Sequence, residues 1–317
     1  MNAILITGAA GFIGSTLADT LLAQGRRVVA VDNFNAQYDP AVKRMNIRKA
    51  MDCAEYALYE TDIRDRDRIL DVLRREKPGA VVHIAGSTGM KASFEQPEEF
   101  YFNNVSGTRS VLEACRIAGC PRLIYASTAS VYGDGPEPAD ENAILPPPAN
   151  PYVATKRLGE ELVCVSAQNH GMMANILRLF TIYGPRQRSE MAISKFVRKV
   201  DRGLPVEIYG DGSARRGYLY IDDCVAALIQ ALENPFALEI FNIGGQETTT
   251  LNDLIAAIEL SLGKKAKREF VAAPEGIPAA FNANTEKAKQ WLAYEPKVNL
   301  NEGLDKFIAW YRENKIL

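Results

Sequence analysis

The segment that decides the fold is "ITGAAGFIG", residues 6–14, in which a short apolar run leads into glycines at every third position. The glycines are Gly8, Gly11 and Gly14. Behind them, apolar residues recur at helical spacing as far as Leu21, so the segment predicts a strand, a tight turn and a helix. Such a turn lets backbone N–H groups and the helix N-terminus approach a pyrophosphate. We therefore expect a dinucleotide-binding turn, although a merely tight strand–helix connection has the same pattern.

The end of the second apolar run indicates which dinucleotide this turn would bind. The run "RVVAVD" ends at Asp32, 18 residues after Gly14, and "NFN" follows it without an arginine. A carboxylate at this point accepts hydrogen bonds from the ribose hydroxyls of NAD and repels the 2′-phosphate of NADP. The sequence therefore predicts NAD as the cofactor.

The first half of the chain alternates short apolar runs, such as "AVVHIA" and "RLIYAS", with amphipathic helical segments. This alternation is typical of an α/β protein with a doubly wound, Rossmann-type parallel sheet. We predict that residues 1–175 form the NAD-binding domain, with returning segments near 176–184 and 221–243. Residues 185–317 are then mainly a smaller, interleaved C-terminal substrate domain.

Composition argues against several other classes of protein. The chain has 317 residues and a net charge of −2, and it contains no long block of like charge. We therefore expect neither a nucleic-acid surface nor a membrane surface. No apolar run approaches the roughly 20 residues that span a bilayer, and the start "MNAILITG" does not read as a signal peptide. Five cysteines without metal-ligand spacing indicate free thiols in a reducing cytoplasm, and two histidines argue against a zinc site.

The motif "PYVATK" supplies the candidate catalytic residues. Tyr152 and Lys156 lie four residues apart at the predicted start of a helix, so both side chains share one face. A lysine ammonium near a phenol favours the phenolate and lowers its pKa towards neutrality. Thr128 ends a predicted strand, where α/β sheets place ligands. The alternative is an ordinary Tyr and Lys on a helix surface.

Together these motifs resemble the extended short-chain dehydrogenase/reductase family, specifically its nucleotide-sugar epimerases and dehydratases. The resemblance covers nearly the whole chain and includes "YASTASVYG", "PYVATK", "LRLFTIYGPRQR", "VEIYGDG", "YIDD" and "EGLDKFIAWYREN". It implies that Tyr152 is the base, that Lys156 also binds the nicotinamide ribose, and that Thr128 bonds the sugar hydroxyl. It further implies a tightly bound, recycled NAD, a UDP-sugar substrate and a homodimer.

The resemblance also implies two sets of binding residues. Those expected to bind the cofactor are Gly8, Gly11, Phe12, Ile13, Gly14, Asp32, Asn33, Asp62, Ile63, Ala85, Gly86, Asn104, Tyr152 and Lys156. Those expected to bind the substrate are Thr88, Lys91, Thr128, Ser130, Thr181, Arg188, Tyr209 and Arg216. Arg216 matches a diphosphate-binding arginine, but Gly217 stands where the family usually has an acidic residue.

Two further features of the sequence bear on the reaction and the sugar. Ala129 and Ser130 stand where the dehydratases of the family carry an acid and a base, so we expect simple 4-epimerisation. Thr181 followed by "YGPRQR" resembles the UDP-glucuronate 4-epimerases, in which Arg188 would pair with the sugar carboxylate. The alternatives are a UDP-glucose or UDP-N-acetylglucosamine 4-epimerase, a net NAD-dependent oxidoreductase, and a non-catalytic NAD-binding regulator.

Overall fold

The computed structural model describes residues 3–135, 137–272 and 280–314. Its strands are β1 (Ile4–Thr7), β2 (Val28–Asp32), β3 (Tyr56–Glu60), β4 (Ala80–His83), β5 (Arg122–Thr128), β6 (Met173–Leu179), β7 (Thr181–Tyr183), β8 (Pro205–Tyr209), β9 (Arg215–Tyr220), β10 (Leu238–Ile243), β11 (Thr248–Thr250), β12 (Lys267–Val271) and β13 (Ala280–Phe281). Its α-helices are α1 (Phe12–Ala23), α2 (Pro40–Met51), α3 (Arg66–Glu76), α4 (Met90–Glu95), α5 (Pro97–Phe100), α6 (Thr108–Ala118), α7 (Pro151–His170), α8 (Ala192–Asp201), α9 (Ile221–Glu233), α10 (Leu251–Leu262), α11 (Glu286–Leu292) and α12 (Leu300–Asn314). A π-helical segment, Tyr101–Gly107, joins α5 to α6, and a 3₁₀ turn, Ala129–Tyr132, follows β5.

A seven-stranded parallel sheet forms the centre of the fold, in the order β3-β2-β1-β4-β5-β6-β10. Every residue of β1, β2 and β4 is buried, as expected for strands that are covered on both faces. The strand order reverses between β1 and β4, and ligands of open α/β sheets bind at the carboxyl ends of strands beside such a reversal. The predicted doubly wound parallel sheet is therefore confirmed.

Each face of this sheet has its own apolar layer. Along β1, Ile4 and Ile6 pack with Leu17 of α1 in one buried cluster, whereas Leu5 belongs to a second cluster with Val111 of α6. This alternation follows from the two-residue period of a strand. In the part of the chain that the structure describes, none of the helices combines the length and the apolar character needed to cross a bilayer.

After β6 the chain moves back and forth between the large sheet and smaller ones. β7 pairs with β9 in a small sheet that also contains β11 and β13, and β8 pairs with β12. Helix α9 then packs against α1, and β10 adds the edge strand beside β6. The domain limits near residues 175 and 185 stay a prediction, because after β6 the chain passes more than once between the large sheet and the smaller ones.

The turn between β1 and α1 requires glycine for steric reasons. Gly8 has a φ of +71°, and a Cβ atom there would lie 2.9 Å from the backbone nitrogen of Ala85. A Cβ atom at Gly14 would lie 2.2 Å from the carbonyl oxygen of Gly8. The first turn of α1 therefore lies directly against the loop that precedes it, and its N-terminus is held above the carboxyl ends of β1 and β4.

Candidate active site

A cavity of about 530 Å³ opens at the carboxyl ends of β1, β2, β4, β5 and β6. It brings together most of the residues that the sequence predicts for binding and catalysis. The predicted residues in its wall are Gly8, Gly11, Phe12, Ile13, Gly14, Asp32, Asn33, Ile63, Ala85, Gly86, Thr88, Thr128, Ser130, Tyr152, Lys156, Thr181 and Arg188. Five predicted residues lie outside this wall: Asp62, Lys91, Asn104, Tyr209 and Arg216.

The dinucleotide end of the cavity is built around Asp32. Its Oδ2 accepts the backbone N–H of Ala10 at 3.0 Å, and its Oδ1 accepts that of Phe34 at 2.9 Å. These bonds fix a buried carboxylate beside the glycine turn. A Cβ atom at Gly11 would come within 3.2 Å of the Gly8 carbonyl oxygen, so a side chain there would crowd this turn. The turn and the carboxylate fit a dinucleotide whose pyrophosphate lies at the N-terminus of α1.

Two of the five residues outside the wall support residues within it. Asp62 accepts a hydrogen bond from Asn33 Nδ2 at 2.9 Å. Asn104 lies in the π-helical segment; its Oδ1 accepts the Ser87 N–H at 2.7 Å, and its Nδ2 donates to Thr155 Oγ1 at 3.0 Å. Asn104 thereby ties the loop after β4 to helix α7. Whether Asp62 and Asn104 also contact the cofactor stays a prediction.

The side chains of the other three residues do not line the cavity. The Lys91 side chain is 92% exposed, and its Nζ lies 3.8 Å from Glu95 Oε1 within α4. Tyr209 is exposed at the end of β8. Arg216 lies in β9, and its Nη1 donates to the Arg215 carbonyl at 2.7 Å. Their roles in binding substrate stay predictions.

The catalytic candidates are positioned by β5 and by the start of α7. Asn150 caps α7 by accepting the Val153 N–H at 3.0 Å, and Pro151 occupies the first turn. Lys156 Nζ donates to the Ala126 carbonyl at 2.5 Å and lies 4.2 Å from the ring centre of Tyr125. Burial lowers the pKa of Lys156 to about 8, against the opposing effect of the Glu160 carboxylate.

The pKa of Tyr152 differs from the sequence-based expectation. Burial raises the pKa of this phenol above its usual value, while the Thr128 hydroxyl and the Arg188 charge act in the opposite direction. The Lys156 ammonium is engaged with the Ala126 carbonyl. The expectation that the Lys156 ammonium lowers the Tyr152 pKa towards neutrality does not hold in this structure, because desolvation dominates. Forming the phenolate requires further positive charge in the cavity.

Arg188 joins three loops across the cavity. Its Nη2 donates to Thr88 Oγ1 at 2.7 Å, and Gln37 Nε2 donates to the Thr88 carbonyl at 3.0 Å. The Arg188 guanidinium also lies 5.9 Å from the ring centre of Tyr38. Arg188 therefore lies in the same cavity as the catalytic candidates.

Sequence reasoning missed several residues of the cavity wall. They include Asn35, Gln37, Tyr38, Lys43 and Ser127. The first three lie three to six residues after Asp32, the last residue of β2, in a loop where α/β sheets carry ligands, so their position alone could have indicated them. Lys43 is buried, and its Nζ donates to Asn35 Oδ1 at 2.7 Å. Burial lowers the pKa of Lys43.

This chain is similar to known proteins in both sequence and fold. The sequence profile of the NAD dependent epimerase/dehydratase family matches residues 4–244. A UDP-glucuronate 4-epimerase from Thermodesulfobacterium geofontis is 34% identical over 315 residues, which are 99% of this chain and 97% of that protein. The crystal structure of a UDP-glucuronic acid 4-epimerase from Bacillus cereus with UDP-glucuronic acid and NAD superposes with a TM-score of 0.92, at 34% identity, covering 98% of this chain and 99% of that one. A UDP-glucose 4-epimerase from Thermotoga maritima with UDP-glucose gives a TM-score of 0.90 at 31% identity, covering 99% and 100% of the two chains.

The position of Asp32 generates a prediction about the cofactor. We expect the denatured protein to release NAD(H) and little NADP(H), because the fixed carboxylate repels a 2′-phosphate. Chromatography of the released nucleotides measures this ratio. Asp32→Ala should bring the two cofactors closer in affinity, whereas Asp39→Ala, which removes an exposed carboxylate that caps α2, should not. Recovery mainly of NADP(H) from the unaltered protein would contradict the role of Asp32.

Proposed function

This chain belongs to the NAD-dependent epimerase/dehydratase family, and on that basis we propose that it is a UDP-sugar 4-epimerase that interconverts UDP-glucuronate and UDP-galacturonate. The observation that carries this proposal is the meeting of Thr128, Tyr152 and Lys156 with Arg188 in one cavity beside the dinucleotide-binding turn. The family supports NAD as the cofactor, and the fixed Asp32 carboxylate fits it.

The residues of the chain account for the proton transfers of such a reaction. NAD bound at the glycine turn supplies a reversible acceptor for the hydride at the sugar C4. Tyr152 takes the proton of the 4-hydroxyl and later returns it, while Thr128 orients that hydroxyl. Lys156 and Arg188 supply positive charge around Tyr152. The sugar loses its 4-hydroxyl proton and its C4 hydride, becomes planar at C4, and regains the hydride on the opposite face and the proton on the C4 oxygen, so no net oxidation occurs.

The turn after β5 favours epimerisation over elimination. Dehydration of a 4-keto sugar needs an acid and a base at the neighbouring carbons. Ala129 is fully buried, and the Ser130 hydroxyl accepts a bond from Thr128 Oγ1 at 3.2 Å. Neither residue can exchange a proton at neutral pH. We therefore propose simple 4-epimerisation without elimination, as the sequence of this turn predicts.

A sugar carboxylate fits the cationic side of the cavity. The Arg188 side chain is only 14% exposed, and Thr181 and Ser130 line the same cavity. The 4-keto form of a uronic acid is a β-keto acid, which loses CO₂ when its carboxylate bond aligns with the carbonyl π system. A planar guanidinium with neighbouring hydroxyls can hold the carboxylate out of that alignment better than a mobile ammonium.

One observation favours a neutral UDP-hexose as the second candidate substrate. Arg188 already has partners within the protein, since it bonds Thr88 Oγ1 and its Nε lies 3.3 Å from Glu190 Oε1. A sugar without a carboxylate would leave these contacts intact. The Thermotoga maritima relative, named a UDP-glucose 4-epimerase, has the same fold.

One assay separates these candidates. The purified protein is incubated with each UDP-sugar in turn, without added NAD, and the anomeric proton signals are followed by NMR. We expect conversion of UDP-glucuronate to UDP-galacturonate until equilibrium is reached. Efficient epimerisation of UDP-glucose with no reaction of UDP-glucuronate would replace the uronate proposal with the neutral-sugar one.

Two further properties belong to this proposal. We propose that the protein acts in the cytoplasm, and this is supported by Cys53, Cys115, Cys120, Cys164 and Cys224, which are all free thiols. Thiols of this kind persist in reducing compartments. We also propose that it forms a homodimer through a face on α7 and its neighbours.

The first prediction from the proposed function concerns the base. Tyr152→Phe should lower turnover by about two orders of magnitude or more, because only the proton acceptor is lost. The cofactor should remain bound, since the phenyl ring keeps its place beside Phe100. Turnover is measured by the NMR assay, and bound nucleotide by absorbance after denaturation. Near-normal turnover in this variant would remove Tyr152 from the mechanism.

The second prediction concerns the carboxylate contact. Arg188→Ala should raise KM for UDP-glucuronate by roughly tenfold to a hundredfold, the equivalent of about 1.5–3 kcal/mol for a charge-assisted bond. It should also let some decarboxylated 4-keto-pentose product escape. Arg186→Ala is the matched control, because Arg186 Nη2 binds Asp19 at 2.6 Å outside the cavity. Equal effects of the two variants would argue against a carboxylate clamp.

The third prediction concerns assembly. Helix α7 packs against α4 and the π-helical segment, and this region exposes Phe94, Tyr101, Leu158 and Val165. An exposed apolar face of this kind marks a protein interface. Sedimentation velocity should therefore show a species of twice the chain mass, and Val165→Lys should weaken it. Leu260→Lys, at an exposed position on α10, is the control and should leave the dimer intact. A monomer at micromolar concentration would refute this assembly.

A further inference from the structure

A buried ion pair lies directly behind the wall of the cavity. Glu160 of α7 and Arg178 of β6 have side chains that are 6% and 4% exposed. Arg178 Nη2 donates to Glu160 Oε2 at 2.8 Å, and its Nε donates to Glu160 Oε1 at 3.1 Å. The guanidinium thus binds the carboxylate through two nitrogens, which fixes the plane of both groups.

The pair is connected to the cavity on one side and to more distant segments on the other. Ser127, in the cavity wall next to Thr128, donates its hydroxyl to Glu160 Oε1 at 2.5 Å. Arg178 Nη1 donates to the Tyr132 hydroxyl at 2.9 Å, and that hydroxyl donates to Asn242 Oδ1 at 2.7 Å. All polar atoms of the pair are therefore satisfied inside the protein.

Stability alone does not explain a charged pair at this depth. Removing two ions from water costs several kcal/mol each, and apolar residues of similar volume are often as stable or more so. A buried pair with a full set of hydrogen bonds specifies position instead. Glu160 is one hydrogen bond from Ser127 in the cavity wall, and it follows Lys156 by one helical turn. Ser127 and Lys156 are therefore the residues that the pair can position.

We propose that Glu160, oriented by Arg178, is a positioning residue for the epimerase reaction: its carboxylate fixes the Ser127 hydroxyl and supplies the negative charge next to the Lys156 ammonium. This inference rests on the proposed function, in which that ammonium supports Tyr152. Glu160 itself does not line the cavity, so it acts through Ser127 and Lys156, which do.

The charges that face Lys156 make this role specific. Tyr152 and Glu160 lie one turn before and one turn after Lys156 on its own helix, the Tyr125 ring lies under its ammonium from β5, and its charge acts on His83 of β4. Burial lowers the pKa of His83 to about 3, with Lys156 adding to the effect, so His83 is neutral. Tyr125 is neutral as well, because burial raises its pKa. Among the described residues, Glu160 is thus the anion that opposes the desolvation of Lys156.

The sign of the pH effect follows from these groups. Burial lowers the pKa of Lys156 and the Glu160 carboxylate raises it, with a net result of about 8. Loss of the Glu160 charge removes the contribution that raises the pKa of Lys156. Lys156 then loses its proton at a lower pH, and an activity that needs the ammonium declines at a lower pH too.

The test is Glu160→Gln, which keeps the shape of the side chain and removes its charge. We expect the alkaline limb of the kcat profile to move down by about one pH unit or more, while KM for the UDP-sugar changes little. A second readout needs no substrate: the ¹³Cε signal of Lys156, assigned with Lys156→Met, is titrated in the protein as isolated with its cofactor. Its midpoint should fall by a similar amount.

Control variants separate positioning from general destabilisation. Asp223→Asn alters another buried carboxylate, which accepts the N–H groups of Lys297 and Val298 at 2.9 and 3.0 Å, and should leave the pH profile unchanged. Glu160→Asp keeps the charge and should restore the wild-type profile at reduced kcat. If Glu160→Gln does not fold, the double variant with Arg178→Met removes both charges and should shift the lysine midpoint in the same direction.

The possible outcomes are distinct. An unmoved lysine midpoint in Glu160→Gln overturns the inference, whatever the activity. A lowered midpoint in a protein that epimerises no UDP-sugar supports the electrostatic role of Glu160 and overturns the proposed function. A lowered midpoint together with a shifted kcat profile, reversed in Glu160→Asp, supports both.

Discussion

The close approach of helix α1 to the loop before it is the constraint on which the site depends. A side chain at Gly14 would meet the Gly8 carbonyl at 2.2 Å, so the helix can start there only without one. This contact places the N-terminus of α1 at the end of β1, between β2 and β4. The turn and Asp32, which is bonded to the Ala10 N–H, thereby form one rigid unit at the sheet edge.

The opposite end of the cavity is governed by desolvation. Burial raises the pKa of Tyr152 and lowers that of Lys156, so the protein opposes the charged forms of both groups. The compensating charges come from separate elements: Arg188 from the loop after β7, and Glu160 from the third turn of α7. Arg188 lowers the pKa of the phenol and Glu160 raises that of the amine, so each partly offsets the effect of burial.

The strand and helix pattern and the residues at the strand ends could be predicted from the sequence, because both depend on local periodicity and on where parallel strands finish. Gly8, Asp32, Thr128 and Tyr152 all line the cavity as predicted. Asp62 and Asn104 lie behind its wall and bond Asn33 and Ser87. A motif locates a residue along the chain. Whether its side chain lines the cavity or supports a lining residue depends on neighbours that are distant in sequence.

The sequence by itself determined the parallel sheet, the dinucleotide-binding turn and the pairing of Tyr152 with Lys156 on one helix face, since each follows from spacing within a short segment. Only the tertiary structure decided in which direction the pKa values of that pair shift, because burial arises from the whole fold. It also decided the placement of Arg188 on Thr88, 100 residues away, and of Arg178 on Glu160 beside Ser127. These contacts join segments that are distant in sequence, so no local pattern predicts them. They nevertheless determine the electrostatics of the site.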